Sequence, residues 1–198
     1  MDEWTTLLSH SLSRRLPPST FSRFASLLAL RAPLPAPSLA ALLLRPTPSQ
    51  HHALDPRVPL YALALLDADL LDVPAVLRAL HASSSLRDVD ARGLRWTSSC
   101  VHEEALMYGL AKGVAAGKRP RTAAEAVAML RALTEWMGLL AMAAAADEVM
   151  REMGAGNGVR DQEAGAVRGA VAAMLVAVAE SERVGGVLRR GCPRGRVV

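Results

Sequence analysis

The chain has 198 residues, 51% hydrophobic but only 4% aromatic, with 23 basic and 19 acidic residues and a formal charge of +4. That length buries a sizeable core, and that apolar fraction excludes general disorder. The basic excess is dispersed, all but Lys112 and Lys118 being arginine, which points to a generic charged surface and not to a phosphate-binding face.

Ala, Leu and Val dominate the apolar content, and residues that suit a pleated sheet are scarce, so the composition favours helices. Cys100 and Cys192 lie far apart without CxxC spacing, which argues against a zinc module or a disulfide framework and fits a reducing compartment. Met1-Asp2-Glu3-Trp4 is acidic where a secretory leader is basic. The longest uncharged runs, Trp136 to Ala146 and Gly169 to Ala179, fall short of the ~20 residues that span a bilayer. A soluble protein without a membrane partner is the expectation.

In chain order, Trp4, Leu7, Leu8 and Leu12 recur at helical spacing behind the acidic Asp2 and Glu3, and predict a first helix. Pro17-Pro18 ends it. Phe21, Phe24, Ala25 and Leu28 give a second stripe, and the two form a helical hairpin. Pro33-Leu34-Pro35-Ala36-Pro37 is an extended connector, followed by a short helix from Ser38 to Leu44. Arg45 to Arg57 reads as an ordered loop leading into a helix from Val58 to about Asp69. Asp72 caps the next helix, with Pro74 in its first turn.

The polar segment Ser83 to Arg92 reads as a boundary. It divides the chain into a helical subdomain over 1–82, a variable linker over 83–92, a second helical subdomain over 93–190 and a basic tail over 191–198. In the second part Ser98 and Ser99 are cap candidates for a helix carrying Glu103, Glu104, Leu106, Met107 and Leu110 and ending near Gly117. Thr122 and Glu125 form a T-x-x-E capping box that opens a helix to about Met153, stopped by Gly154-Ala155-Gly156-Asn157-Gly158. Asp147 and Arg151 are spaced to pair on it. Trp136 to Ala146 is apolar on every side, which predicts coverage all round. A last helix runs from about Asp161 to Val184. The expected fold is all-α, a multi-helix bundle or repeat-like array of antiparallel helices without a sheet.

The motifs that could carry chemistry lack required members. His102-Glu103-Glu104 opens like the zinc-protease helix, but position 106 is Leu, so the second histidine is missing. Cys100 and His102 point to different helix faces. His51-His52 with Asp55 lacks further ligands, and Gly154, Gly156 and Gly158 follow a helix, not a strand. Gly117-Lys118-Arg119 lacks the Ser or Thr of a phosphate loop. Lys118-Arg119-Pro120-Arg121 and the five arginines from Arg183 onward are basic segments of loop and tail, with nuclear import a possible use of the first. Trp4, Trp96 and Trp136 are expected to anchor the core. No catalytic, cofactor-binding or metal-ligating residue is expected, and no small-molecule substrate.

One resemblance runs along the chain. Leu54-Asp55-Pro56-Arg57-Val58-Pro59-Leu60-Tyr61, preceded by Trp4 with Leu8 and by Pro33-Leu34-Pro35, resembles the fungal Mediator subunit 5 family. Further matches keep the same order: Asp72-Val73-Pro74-Ala75-Val76-Leu77-Arg78-Ala79-Leu80, Leu94-Arg95-Trp96-Thr97-Ser98-Ser99, Glu103-Glu104-Ala105-Leu106-Met107-Tyr108 and Glu135-Trp136-Met137. The resemblance covers roughly residues 4 to 190 and the N-terminal portion of the longer family proteins, and it ends at Arg189-Arg190-Gly191-Cys192-Pro193. It implies a nuclear, non-enzymatic scaffold in Mediator's tail module, linking DNA-bound activators to RNA polymerase II. Other tail subunits are the implied partners, without specific nucleic-acid binding. A free-standing helical interaction module or a nonfunctional truncated paralogue is the alternative.

Overall fold

The computed structural model describes residues 3–35, 39–44, 55–87, 89–90, 95–96, 101–118, 120, 122–154 and 159–180, with the backbone alone for 89–90, 95–96, 101–102 and 159–163. Eight α-helices lie within these residues: α1 (Glu3–Ser13), α2 (Pro18–Ala29), α3 (Leu39–Leu43), α4 (Val58–Asp67), α5 (Val73–Ala82), α6 (Val101–Ala115), α7 (Ala123–Glu152) and α8 (Val159–Ala179). The expected all-α array is what forms. One departure is a two-residue antiparallel pair, β1 (Val89–Asp90) with β2 (Arg95–Trp96), in the register Val89 to Trp96 and Asp90 to Arg95. A pairing that short escapes period-2 reading and forms no layer of the fold.

The helix starts follow local chemistry. Asp72 is the N-cap of α5, its Oδ1 accepting from the Ala75 N–H at 2.6 Å, and Thr122 Oγ1 accepts from the Glu125 N–H at 3.1 Å at the head of α7. Each bond satisfies one of the backbone donors that a helix N-terminus leaves open. Asp55 starts the turn into α4, its carboxylate accepting from the Arg57 N–H at 2.9 Å.

The ends of α1, α4 and α6 share one device. A residue with positive φ follows the helix, and the next N–H reaches back five residues: Leu16 to Ser11 O, Leu70 to Leu65 O, and Lys118 to Gly113 O, each at 3.0 Å. The turning residues are Arg15 (φ 54), Asp69 (φ 55) and Gly117 (φ 113). Only the third is a glycine, the usual occupant of this conformation. Helix α4 therefore stops at Asp67, two residues before its expected end, while α8 begins at Val159, two residues earlier than expected.

One cluster of buried side chains runs through all eight helices, from Trp4 on α1 to Val178 on α8. Helices α2 and α4 meet where the rings of Phe21 and Tyr61 stack with centroids 4.3 Å apart. The Tyr61 hydroxyl donates to Leu16 O at 2.7 Å, with Ser11 O at 3.1 Å, which ties α4 to the end of α1. Burial pushes the Tyr61 phenol above its usual pKa. Helix α4 also packs on α6, and Gly109 permits a close approach: a Cβ there would stand 2.7 Å from the Leu63 side chain.

Candidate protein-interaction surface

Helix α7 is the longest element, and its sides divide cleanly. Met129, Leu133, Trp136, Leu140, Ala143 and Met150 are buried, on the side that packs against α5 and α8, while Val127, Met137, Met142 and Val149 are exposed. Met142 is 61% and Met137 42% exposed. Among the described residues the packed helices reach only one side of α7, so the coverage expected all round Trp136 to Ala146 is supplied there on that side alone. The remaining face carries no charge over that run.

By length and composition α7 could cross a bilayer, a property hidden from a reading confined to uncharged runs; 44% of its most apolar 18-residue window is buried within the fold. The expected Asp147–Arg151 pair does not form. Arg151 bonds Glu148 instead, because Asp147 lies on the buried side of the helix, only 6% exposed.

Under the buried face of α7 lies a polar chain that positions it. The Trp136 indole N–H donates to Leu77 O of α5 at 2.9 Å, and the His81 ring stands edge-on to the indole at 5.6 Å. Arg87 holds that ring in turn, its Nε donating to His81 O at 3.0 Å and its Nη2 lying 3.1 Å from the imidazole nitrogens. Burial and the Arg87 guanidinium push the His81 pKa down, against a smaller opposing pull from Glu135. Neutral imidazole can accept from Arg87, whereas the protonated ring cannot. Since the unfolded chain then binds this proton more tightly, folding stability is lost as pH falls below the ordinary histidine value of about 6.5. Denaturant midpoints at pH 7.5 and 5.5 test this: the drop is expected to be smaller in His81→Asn than in the wild type.

A second polar contact joins α6 to the segment after α5. Glu103, in the first turn of α6 and 5% exposed, accepts from Ser84 Oγ at 2.8 Å and from the Ser85 N–H at 2.5 Å. Ser84 Oγ accepts in turn from the Leu86 N–H at 3.2 Å. The carboxylate thus holds the 3₁₀ turn Ser85–Arg87 against the head of α6, where a negative charge also suits the helix dipole. Helical spacing places Glu103 on α6 but contains no sign of its burial; that comes from the turn folding over it.

A groove of about 610 Å³ lies between the α4–α5 and α6–α7 junctions, lined by Leu66, Leu70, Pro74 and Met129 together with Asp67, Asp69, Asp72, Glu125 and Lys118. Its polar groups serve the fold. Lys118 is ion-paired with Asp67, Asp72 caps α5, and Asp69 and Glu125 make further polar contacts. Among the described residues no group of three or more His, Cys, Asp or Glu side chains is placed to hold a metal ion.

Of the motif residues, Trp4 and Trp136 are core anchors, Trp4 also donating to Pro33 O at 2.8 Å. Gly154 (φ 71) closes α7 as a helix stop. The side chains of Trp96 and His102, and His51, His52, Cys100, Arg119, Arg121, Gly156, Gly158, Cys192 and the arginines from Arg183 onward, lie outside what is described.

Two curated proteins align with most of these elements. One, Mediator of RNA polymerase II transcription subunit 5 from Phaeosphaeria nodorum, is 27% identical over 166 residues, 81% of this chain and 17% of the relative. The protein of the same name from Coccidioides immitis is 21% identical over 193 residues, 91% of this chain and 18% of the relative. The chain is similar to Mediator subunit 5. The resemblance read from the ordered motifs is therefore found again over nearly the whole chain. The chain spans less than a fifth of the length of either subunit 5 protein. No family model and no solved structure matches.

Proposed function

We propose that the chain is a structural, non-enzymatic part of the Mediator coactivator, working in the nucleus among tail-module subunits and relaying signals from DNA-bound regulators to RNA polymerase II. The similarity to two subunit 5 proteins over 81% and 91% of the chain carries this reading. The geometry supports a scaffold role. The buried polar atoms of Glu103 and the Trp136 indole hold backbone in place, and α7 offers an uncharged outer face of the kind that proteins use to meet one another.

The test is affinity purification of the tagged chain from fungal nuclear extract, followed by mass spectrometry. Mediator subunits are expected above a tag-only control. A chain that recovers none of them while remaining folded by circular dichroism would favour a free-standing helical module and overturn the Mediator assignment.

A further inference from the structure

The basic excess of the chain has one local origin. Residues 4–54 hold five arginines and no aspartate or glutamate, so this quarter alone outweighs the formal +4 of the whole chain. Helix α2 displays that charge. Its one charged residue is Arg23, and Arg31 follows in the turn that closes it, bonded to Leu28 O. Both side chains are exposed, as are Phe24, Leu27 and Leu30, the last at 83%. On a helical projection the two arginines lie about 40° to either side of Leu27, inside the arc of about 60° each way set by Phe24 and Leu30. Cations and apolar side chains therefore interleave on the face turned away from the buried Phe21 and Ala25. Arg14 and Arg15 stand exposed in the turn ahead of α2, at the positive end of its dipole, and no acid occupies its first turn. Among the described residues none of these four guanidinium groups is in an ion pair. The elements packed on α2 are α1 and α4. Of their acids, Asp55 pairs with Arg57 and Asp67 with Lys118. Glu3 lies at the head of α1, on the Arg31 side, since Trp4 bonds Pro33 O: one carboxylate against four arginines.

We infer that this face of α2 docks an acidic segment of another protein, one in which leucine or phenylalanine side chains stand among aspartates or glutamates. Guanidinium groups match carboxylates in geometry as well as charge, and the apolar side chains between those carboxylates cover Phe24, Leu27 and Leu30. A nucleic acid would meet the arginines and leave these three uncovered. A bilayer that took up the three would draw Arg23 and Arg31, which lie between them, out of water without partners. Charge and apolar pattern together therefore select a protein segment that carries both features. The face of one 12-residue helix is small against a standard interface, so binding is weak and falls as salt rises. The inference does not depend on the Mediator reading, which rests on similarity along the chain, and its failure would leave that reading standing.

Fluorescence anisotropy of a labelled peptide of about fifteen residues built from Asp, Leu and Phe, titrated with the full chain, tests the docking. Saturation below about 1 mM is expected, with affinity reduced several-fold when Asn replaces every Asp and again when Ala replaces the Leu and Phe. Arg23→Glu and Leu27→Gln, both at exposed helix positions, should leave the circular dichroism unchanged and each weaken binding several-fold. Arg131→Glu removes an exposed arginine from α7 and should leave binding as it is. The absence of saturable binding overturns the inference. So does binding indifferent to Leu27→Gln, which is bare charge attraction, or binding that Arg131→Glu weakens as much as Arg23→Glu does. Binding of duplex DNA or of phosphatidylserine vesicles through Arg23, with none of the peptide, would overturn it as well.

Discussion

Trp136→Ala is expected to destabilise the protein by about 3–5 kcal/mol, the usual range for removing a large aromatic from a packed core. The indole is fully buried and meets α5 in two ways, through the N–H bond to Leu77 O and the edge contact with His81. Its loss opens a cavity between α5 and α7, and neither helix can close it without leaving its other neighbours. For a chain of this length each kcal/mol corresponds to about 2–4 °C in Tm, so thermal and urea denaturation should both register the change clearly. Trp136→Phe should recover part of the loss by refilling volume without the N–H. A midpoint unchanged in Trp136→Ala would mean that α5 and α7 are not packed through this residue.

Glu103→Ala should cost about 3 kcal/mol, by a different route. Removing the carboxylate leaves the Ser85 N–H and the Ser84 hydroxyl without the acceptor they share in a buried setting, and an unpaired buried donor costs more than its bond contributes. The effect should be non-additive with Ser84→Ala, because one contact contains both groups. Urea midpoints of the two single variants and the double variant measure that coupling. Additive losses would show that Glu103 and Ser84 act separately. Hydrogen exchange should also localise the damage, with amides around Ser85 to Arg87 losing protection before those of α7.

Much of the helical order was legible because it depends on groups close together in sequence. Asp72 and Thr122 are read as caps and act as caps, since the bond is made to a backbone N–H three residues away. The turning residues at two helix ends were not legible. Arg15 and Asp69 turn the chain in the left-handed conformation without glycine, and what holds them there is distant packing: the Tyr61 bond to Leu16 O beside one, and the burial of Leu65 and Leu66 before the other.

The uncharged run from Trp136 to Ala146 draws the line most sharply. Its apolar character is fixed by sequence, and with the helical period it guarantees that some of that surface must leave water. Which side does so is decided by where α5 and α8 dock, so Met142 is exposed while Trp136 is buried. The same holds for Asp147 and Arg151: their spacing permits a pair, but the core takes Asp147 and leaves Arg151 to Glu148. Sequence by itself determined the helices, the Asp72 and Thr122 caps and the family resemblance, because local hydrogen bonding and apolar periodicity act within a few residues. Only the tertiary structure decided which carboxylate is buried as a latch and which face of α7 is left open, because burial belongs to helices that meet across long stretches of chain.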